Sequence, residues 1–402
     1  MKFRVSYIAL GLALCFAIFH PGSSGAADWS VIPSLSVQGQ YTNNVNYSTL
    51  SNKISDFIFS ETPAASFNYA TDAGSLQGVL SLTELQYLKE TQYDNLDQSY
   101  SINGSYQALP RLGLTMQSSY TVNSTLQQAL ITSGVITNHV PQTYITVNPG
   151  VSYALTERLT ATLGYTFNLV NSQASQFINS TNQQGNLSLS YPLKDEKTTI
   201  GGTVSANETD YADNDITRQI LSYLTVGHRF SEVWNINFSG GLAYTSTNNT
   251  SVVTSPATSP FYTVTPQLGR QASFQPYFNA SATRSWTSTT LSATYQRSQP
   301  GSGLGTPVDF NSASLSLSHD FTERLSGSMA GTYTESQPIN ARGGFETSTY
   351  LLSPQLSYKI TENLSLIPAC SVGLLQEMGK SADIVSASLM LTYSYPFFHY
   401  QK

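Results

Sequence analysis

Four carboxylates stand close together at Glu208, Asp210, Asp213 and Asp215, a density that can gather a divalent cation. A calcium cage, however, needs about six to eight ordered oxygens, so a solvated surface loop is the simpler reading of these four. The imidazoles are the next candidates: His139, His228, His319 and His399. A general base must lie within hydrogen-bond reach of its substrate and needs a partner that orients it. His139 falls in a long polar stretch with no carboxylate near it in sequence, and His399 in the tail. By alternation His228 goes with Leu224 and Val226, and His319 with Leu315 and Leu317, which puts both on an apolar face. The chain contains no HExxH, phosphate loop, CxxC or CxxCH motif and no nucleophile elbow. Enzymatic chemistry is not expected, and no catalytic, cofactor-binding or metal-binding residue is assigned.

The chemistry that does recur is hydroxyl and amide. It appears as Thr160, Thr162, Thr166 and Asn168, as Asn235, Asn237 and Ser239, as Ser312, Ser314, Ser316 and Ser318, and as Ser386 and Ser388. Groups of this kind hydrogen-bond uncharged polar solutes without the strong field of a charged constriction. Their spacing is two, and apolar residues fill the gaps. Leu159 to Leu169 is the clearest case: Leu159, Ala161, Leu163, Tyr165, Phe167 and Leu169 alternate with Thr160, Thr162, Gly164, Thr166 and Asn168. Strict alternation sorts the two sets onto opposite faces of a strand. Trp234 to Tyr244, Leu325 to Thr334 and Val385 to Tyr395 repeat the pattern.

Composition narrows the classes further. Of 402 residues only 10% are charged and 40% are hydrophobic, with 25 Tyr and 18 Phe. A formal net charge of −6 argues against a nucleic-acid binder, which would carry Lys/Arg clusters. Beyond residue 26 no apolar run approaches the ~20 residues of a membrane-spanning helix. A soluble sandwich also alternates, but its solvated face normally carries Lys and Glu, and its strands are shorter than the ~10–12 residues read here. The residues left are those of an all-β protein, a closed antiparallel transmembrane up-and-down β-barrel.

The first segment reads as an address. Lys2 and Arg4 precede an apolar run from Tyr7 to Phe19 and a small-residue stretch ending at Ala26 and Ala27, the pattern of a cleaved secretory signal peptide. A lipoprotein signal around Cys15 is rejected, because the apolar run continues through Phe16 to Phe19. The organisation expected is therefore 1–26 signal peptide and 27–402 a single barrel domain. The mature chain keeps one cysteine, Cys370, so no intrachain disulfide can staple it.

A turn motif counts the strands. Tyr153–Leu159, His319–Leu325 and Tyr358–Leu364 share the form aromatic, x, apolar, Thr, Glu, x, Leu, and His228–Trp234 and Tyr191–Lys197 are variants. Short turns are expected near 72, 109, 157, 194, 232, 286, 322 and 362. With a first strand at about Ser34–Thr42 and a last at about Ile384–Tyr395 they give about 18 strands, in a range of about 16–20. The short turns belong to the periplasm and the longer loops to the cell surface. Two long loops, about 123–143 and 247–269, are candidate lids or constrictions. Only Asp28 to Pro33 precede the first strand, too few for a plug. Tyr153, Tyr191, Trp234, Trp286, Phe321 and Tyr358 sit at the turns as an aromatic girdle.

By these features the chain resembles bacterial outer-membrane β-barrel proteins of the porin type. Through the repeated turn, the Asn/Ser/Tyr-rich strands and the stretch Tyr41-Thr-Asn-Asn-Val-Asn-Tyr47, it resembles in particular barrels that accompany exopolysaccharide export systems. Leu391 to Phe398 is similar to the aromatic-ended final strand of bacterial outer-membrane proteins, although the last residue is Lys402 and not an aromatic. The resemblance implies an outer-membrane location, with outer-membrane lipid and the barrel assembly machinery as partners. It implies a channel for hydrophilic cargo, with polysaccharide export the leading expectation and periplasmic export proteins as further partners. Two alternatives stay open. One is a barrel sheathing a multihaem cytochrome in an electron conduit; the other is a general diffusion porin. The pore-lining residues expected are Thr160, Thr162, Thr166, Asn168, Asn235, Asn237, Ser239, Ser314, Ser316, Ser386 and Ser388.

Overall fold

A computed structural model describes residues 27–49, 53–123, 141–172, 178–212, 215–254, 264–299, 308–338, 346–377, 379–395 and 398–401. Eighteen long strands follow one another: β1 (Ala27–Thr42), β2 (Asp56–Thr71), β3 (Gly74–Tyr87), β4 (Asn95–Leu109), β5 (Leu112–Asn123) and β6 (Gln142–Ala154). Next come β7 (Thr160–Ser172), β8 (Ser180–Pro192), β9 (Thr198–Tyr211), β10 (Ile216–Arg229), β11 (Trp234–Thr254) and β12 (Val264–Ser285). The series ends with β13 (Thr289–Ser298), β14 (Val308–Asp320), β15 (Leu325–Pro338), β16 (Thr347–Lys359), β17 (Leu364–Glu377) and β18 (Lys380–Ser394). A short β19 (Phe398–Gln401) continues the line of β18. Each strand pairs antiparallel with its sequence neighbours, and β1 pairs with β2 on one side and with β18 and β19 on the other. The sheet closes on itself, so it has no edge to leave backbone groups unpaired.

All eight short turns fall where the sequence places them. The repeated threonine explains why. Thr156 Oγ1 accepts the amides of Arg158 and Leu159 at 3.3 and 2.9 Å. Thr322 does the same for Arg324 and Leu325 at 3.2 and 2.9 Å, and Thr361 for Asn363 and Leu364 at 3.3 and 3.1 Å. A side-chain oxygen that satisfies two turn amides fixes the chain reversal, as Ser, Thr and Asp do in turns generally. In the looser variant Asp195 takes the threonine's place, accepting from Lys197 and Thr198 at 3.1 and 3.0 Å.

Three stretches differ from the sequence expectation. Residues 28–33 belong to β1 itself, because they pair with β2 throughout and residues 28–31 pair with β19 on the other side. Residues 247–254 and 264–269 are paired strand, the far end of a hairpin in which Thr254 faces Val264. The loop expected over 247–269 is thereby reduced to 255–263, which lies outside the described residues, as does most of the loop expected over 123–143. Glu208 and Asp210 stand on β9, Asp215 leads into β10, and Asp213 lies outside the described residues. The expected acidic loop is a hairpin end.

The seam between β1 and β18 is locked at its loop end by the asparagine-rich stretch after Tyr41. Asn43 Oδ1 accepts the Val385 amide at 2.8 Å while its Nδ2 donates to Asp383 Oδ2 at 3.0 Å. Asn44, fully buried, holds Ser48 through both backbone groups at 3.0 and 3.1 Å. This brings Tyr47 against Leu375 and Ile384.

A second loop-end anchor is Asp56, 1% exposed. Its carboxylate accepts the amides of Phe57 at 2.7 Å, Lys89 at 3.1 Å and Glu90 at 2.9 Å, tying the β3–β4 connection to β2. Asp56→Ala leaves these amides without that acceptor and is expected to cost about 3 kcal/mol. Urea titration of the refolded protein in lipid vesicles measures this, and a loss within error of zero would remove the anchor from the account.

Candidate functional site: the two faces of the closed sheet

Register divides the strand residues between two faces. One is apolar, and its side chains are unusually open: Leu163 is 61% exposed, Leu242 62% and Leu224 71%. Large aliphatic residues this exposed form no isolated patch but continue from strand to strand, which marks a surface built for an apolar medium. The apolar face is also bounded. On β10 its alternate positions run from His228 through Val226, Leu224, Ser222 and Ile220 to Arg218. On β14 they run from His319 through Leu317, Leu315, Ala313 and Asn311 to Asp309. On β9 they run from Thr198 through Ile200, Gly202, Val204 and Ala206 to Glu208. Each uncharged interval spans about ten residues, which for tilted strands gives a belt of about 25 Å, the height of the apolar band on outer-membrane barrels.

The charges that bound the belt at its loop end are paired. Arg218 Nε meets Glu208 Oε2 at 2.6 Å, and Arg297 Nη2 meets Asp309 Oδ2 at 2.7 Å. Of the aromatics named for the girdle, Trp234 and Trp286 bound it at the turn end, together with Arg284. The Arg284 guanidinium lies between two indoles, 5.1 Å from the Trp234 ring and 4.2 Å from the Trp286 ring. The exposed Arg218–Glu208 pair contributes little stability, and Arg297–Asp309 is partly buried; the position of both shows where the apolar belt stops.

Both histidines sit at this lower boundary in the same setting. His228 Nδ1 lies 2.8 Å from Thr198 Oγ1 and the ring meets Phe230 edge-on, with centroids 4.4 Å apart. His319 Nδ1 lies 2.6 Å from Thr289 Oγ1, with the Phe321 centroid at 4.7 Å. The Thr198 hydroxyl donates its proton to Asp195 Oδ2 at 2.6 Å, so His228 Nδ1 is the donor to Thr198. The bond from the Thr198 hydroxyl is the largest cause lowering the Asp195 pKa, with the backbone amide of Thr198 next. An imidazole that donates to a threonine cannot act as the base that activates it. Among the described residues no group of three or more His, Cys, Asp or Glu could hold a metal ion.

The opposite face is uncharged away from the strand ends and mostly polar, with Ile32, Val79, Leu221, Leu351, Ile367 and Met390 interspersed among its hydroxyls and amides. Its charged positions are confined to strand ends: Asp28, Arg229, Asp320 and Lys359 by the turns, and Asp56, Asp97, Glu377 and Lys380 by the loops. Between them, among the described residues, this face carries no Asp, Glu, Lys, Arg or His on any of the eighteen strands. Thr160, Thr162, Thr166 and Asn168 stand on it on β7, and Asn235, Asn237 and Ser239 on β11. Ser314 and Ser316 stand on it on β14, and Ser386 and Ser388 on β18.

These groups hydrogen-bond from strand to strand. Thr146 Oγ1 donates to Asn168 Oδ1 at 2.9 Å, Asn168 Nδ2 to Asn182 Oδ1 at 3.3 Å, and Asn182 Nδ2 to Asn207 Oδ1 at 2.6 Å. Hydroxyl pairs extend the pattern, Thr225 with Ser239 at 3.0 Å and Thr294 with Ser314 at 2.6 Å. Toward the loops the face closes over apolar groups: Val308 and Phe310 on β14 and Leu375 and Ile384 at the seam are buried. Sequence reasoning did not single out these four, although Val308 and Phe310 break the run of serines on β14 and Ile384 adjoins Ser386 and Ser388 on β18.

No protein-family model matches the chain, and no curated protein matches it. Solved structures of similar shape include three from Pseudomonas aeruginosa. OpdK with vanillate is 13% identical over 91% of this chain and 99% of that one, with a TM-score of 0.47. OccK2 (OpdF) in complex with glucuronate is 12% identical over 92% of this chain and 98% of that one, at 0.48. OccK9 (OpdG) is 15% identical over the same 92% and 98%, at 0.46.

Proposed function

We propose that this chain is a passive pore of the bacterial outer membrane for uncharged hydrophilic solutes. The observation that carries the reading is the contrast between the faces: an apolar belt of about 25 Å on one, and mostly hydroxyls and amides, without charge, on the other. In this reading the apolar face meets lipid, and Thr160, Thr162, Thr166, Asn168, Asn235, Asn237, Ser239, Ser314, Ser316, Ser386 and Ser388 line an aqueous lumen. About 16–18 strands enclose a water-filled channel, where eight would be filled by side chains. A solute entering such a lumen exchanges hydrogen bonds with water for hydrogen bonds with the wall, and no fixed charge selects its sign.

Passive movement follows whichever gradient is present, so the uncharged cargo includes sugar polymer leaving the cell, with periplasmic export proteins as partners, as well as small solutes entering it. Residues 1–26, which lie outside the described residues, are the export signal in this reading, 27–402 is the single barrel domain, and the assembly machinery is the partner that inserts it.

Planar-bilayer recording of the purified barrel tests the pore. Open channels are expected, with a reversal potential close to zero in a tenfold KCl gradient. A barrel that carries no current in any state, or that purifies with a haem protein filling it, would overturn the reading. So would a reversal potential near the full Nernst value, because it requires a charged constriction.

A further inference from the structure

Three strands of the polar face align two tyrosines on either side of a glycine. Tyr223 on β10 stands opposite Gly241 on β11, and Gly241 stands opposite Tyr277 on β12. With no side chain between them the rings meet over the glycine, centroids 5.0 Å apart and planes inclined at 38°. The position requires glycine: a Cβ there would lie 2.0 Å from the Ser222 carbonyl oxygen and 2.5 Å from the Tyr223 Cβ. Tyr223 is five residues from Arg218 and five from His228, the two limits of the uncharged belt on β10, so the pair sits half-way through the barrel.

The groups beside the rings are uncharged: Leu221 and Ala243 toward the loops, and hydroxyls and amides around the rest. Ser239 pairs with Asn279 in the register, and its hydroxyl lies 3.0 Å from that of Thr225. Gln275 flanks Tyr277 on the same face. An aromatic platform edged by a few hydroxyls and amides is the usual way a polar ligand with one apolar face is held. Pyranose rings have that character, with a flat patch of C–H bonds on one face and hydroxyls around the rim. Uronates and other charged rings would find no cation here.

We propose that Tyr223 and Tyr277 form a carbohydrate subsite on the lumen wall, a resting place for uncharged pyranose units during passage. The proposal rests on the reading of the polar face as a lumen and adds to it the class of solute.

Single-channel recording with the full-length barrel tests it, using maltotriose as the ring-bearing probe and mannitol as an acyclic polyol without a ring face. Maltotriose is expected to block the current saturably in the wild-type protein, and mannitol is not. The Tyr223→Ala/Tyr277→Ala variant is expected to raise the half-blocking maltotriose concentration by about tenfold or more, and Tyr223→Phe/Tyr277→Phe by less than about threefold. Tyr277→Leu, which keeps apolar bulk but no flat ring, follows the alanine variant. Persisting ionic current in each variant shows that the barrel has assembled. Equal block of the wild-type and alanine variants, equal block by mannitol, or an intact current that maltotriose never blocks each overturns the subsite alone. A wild-type barrel without ionic current overturns the pore and the subsite together.

Discussion

Leu224→Arg is expected to destabilise the barrel by about 2–4 kcal/mol, the cost of an arginine near the bilayer midplane if the apolar face meets lipid as proposed. Thr225→Arg, one residue along the same strand, is expected to leave stability nearly unchanged and to make the pore anion-selective instead. The two differ only in which face receives the guanidinium. Leu224 is 71% exposed on the apolar face, between Val226 and Ile220 and away from both charged limits of β10. A guanidinium there must be desolvated or must thin the bilayer around it. At Thr225 the same group is in water in the proposed lumen, and the loss is one hydroxyl pair with Ser239 at 3.0 Å. Urea titration in phosphatidylcholine vesicles, followed by tryptophan fluorescence, gives the stabilities, and the reversal potential gives the selectivity. If Thr225→Arg were the costly substitution and Leu224→Arg the silent one, the assignment of faces would be inverted.

Two glycines carry the second prediction. Gly241→Ala is expected to cost about 1–3 kcal/mol by overpacking and to lower the yield of closed barrel. The new methyl group would meet backbone, the Ser222 carbonyl oxygen at 2.0 Å and the Tyr223 Cα at 2.6 Å, so relief requires β10 and β11 to separate. Gly185→Ala is the contrast. A Cβ there has nothing within 4 Å, and the position lies on the apolar face of β8 between Gln183 and Leu187. The added methyl removes unfolded-state freedom and is expected to be neutral or to stabilise by about 0.5 kcal/mol. The same titration measures both. Equal effects at the two sites would mean that the close approach at Gly241 does not exist in the folded barrel.

Much of the fold is legible residue by residue because a strand has a period of two. Once Leu163 and Tyr165 alternate with Thr162, Gly164 and Thr166, no fold can place both sets on one face. The turns are legible for an equally local reason, since Thr156, Thr322 and Thr361 satisfy amides only two and three positions away. Where the local signal failed, partners distant in sequence made the difference. Residues 28–33 hold no clean alternation and include Pro33, yet they pair with β2 throughout and residues 28–31 pair with β19 on the other side. The stretch 247–254 reads as a polar loop because Asn248, Asn249, Thr250 and Ser251 are turn-prone, and only pairing with 264–271 makes it strand. The acidic group at 208–215 was grouped by proximity along the chain. In the barrel Glu208 leaves that group for Arg218, on the neighbouring strand.

By itself the sequence determined the strand count to about 18 in a range of about 16–20, the eight tight turns and the division into an apolar and an uncharged, mostly polar face. All three follow from periodicity and from side chains that bond to their own backbone. Tertiary structure alone decided what stands beside what across strands: the seam lock of Asn43 on β18, the Asp56 anchor, the buried Val308 and Phe310, and the meeting of Tyr223 with Tyr277 over Gly241. Those neighbours are set by inter-strand register and closure, which are collective properties of eighteen hydrogen-bonded ladders and leave no mark at the spacing of two.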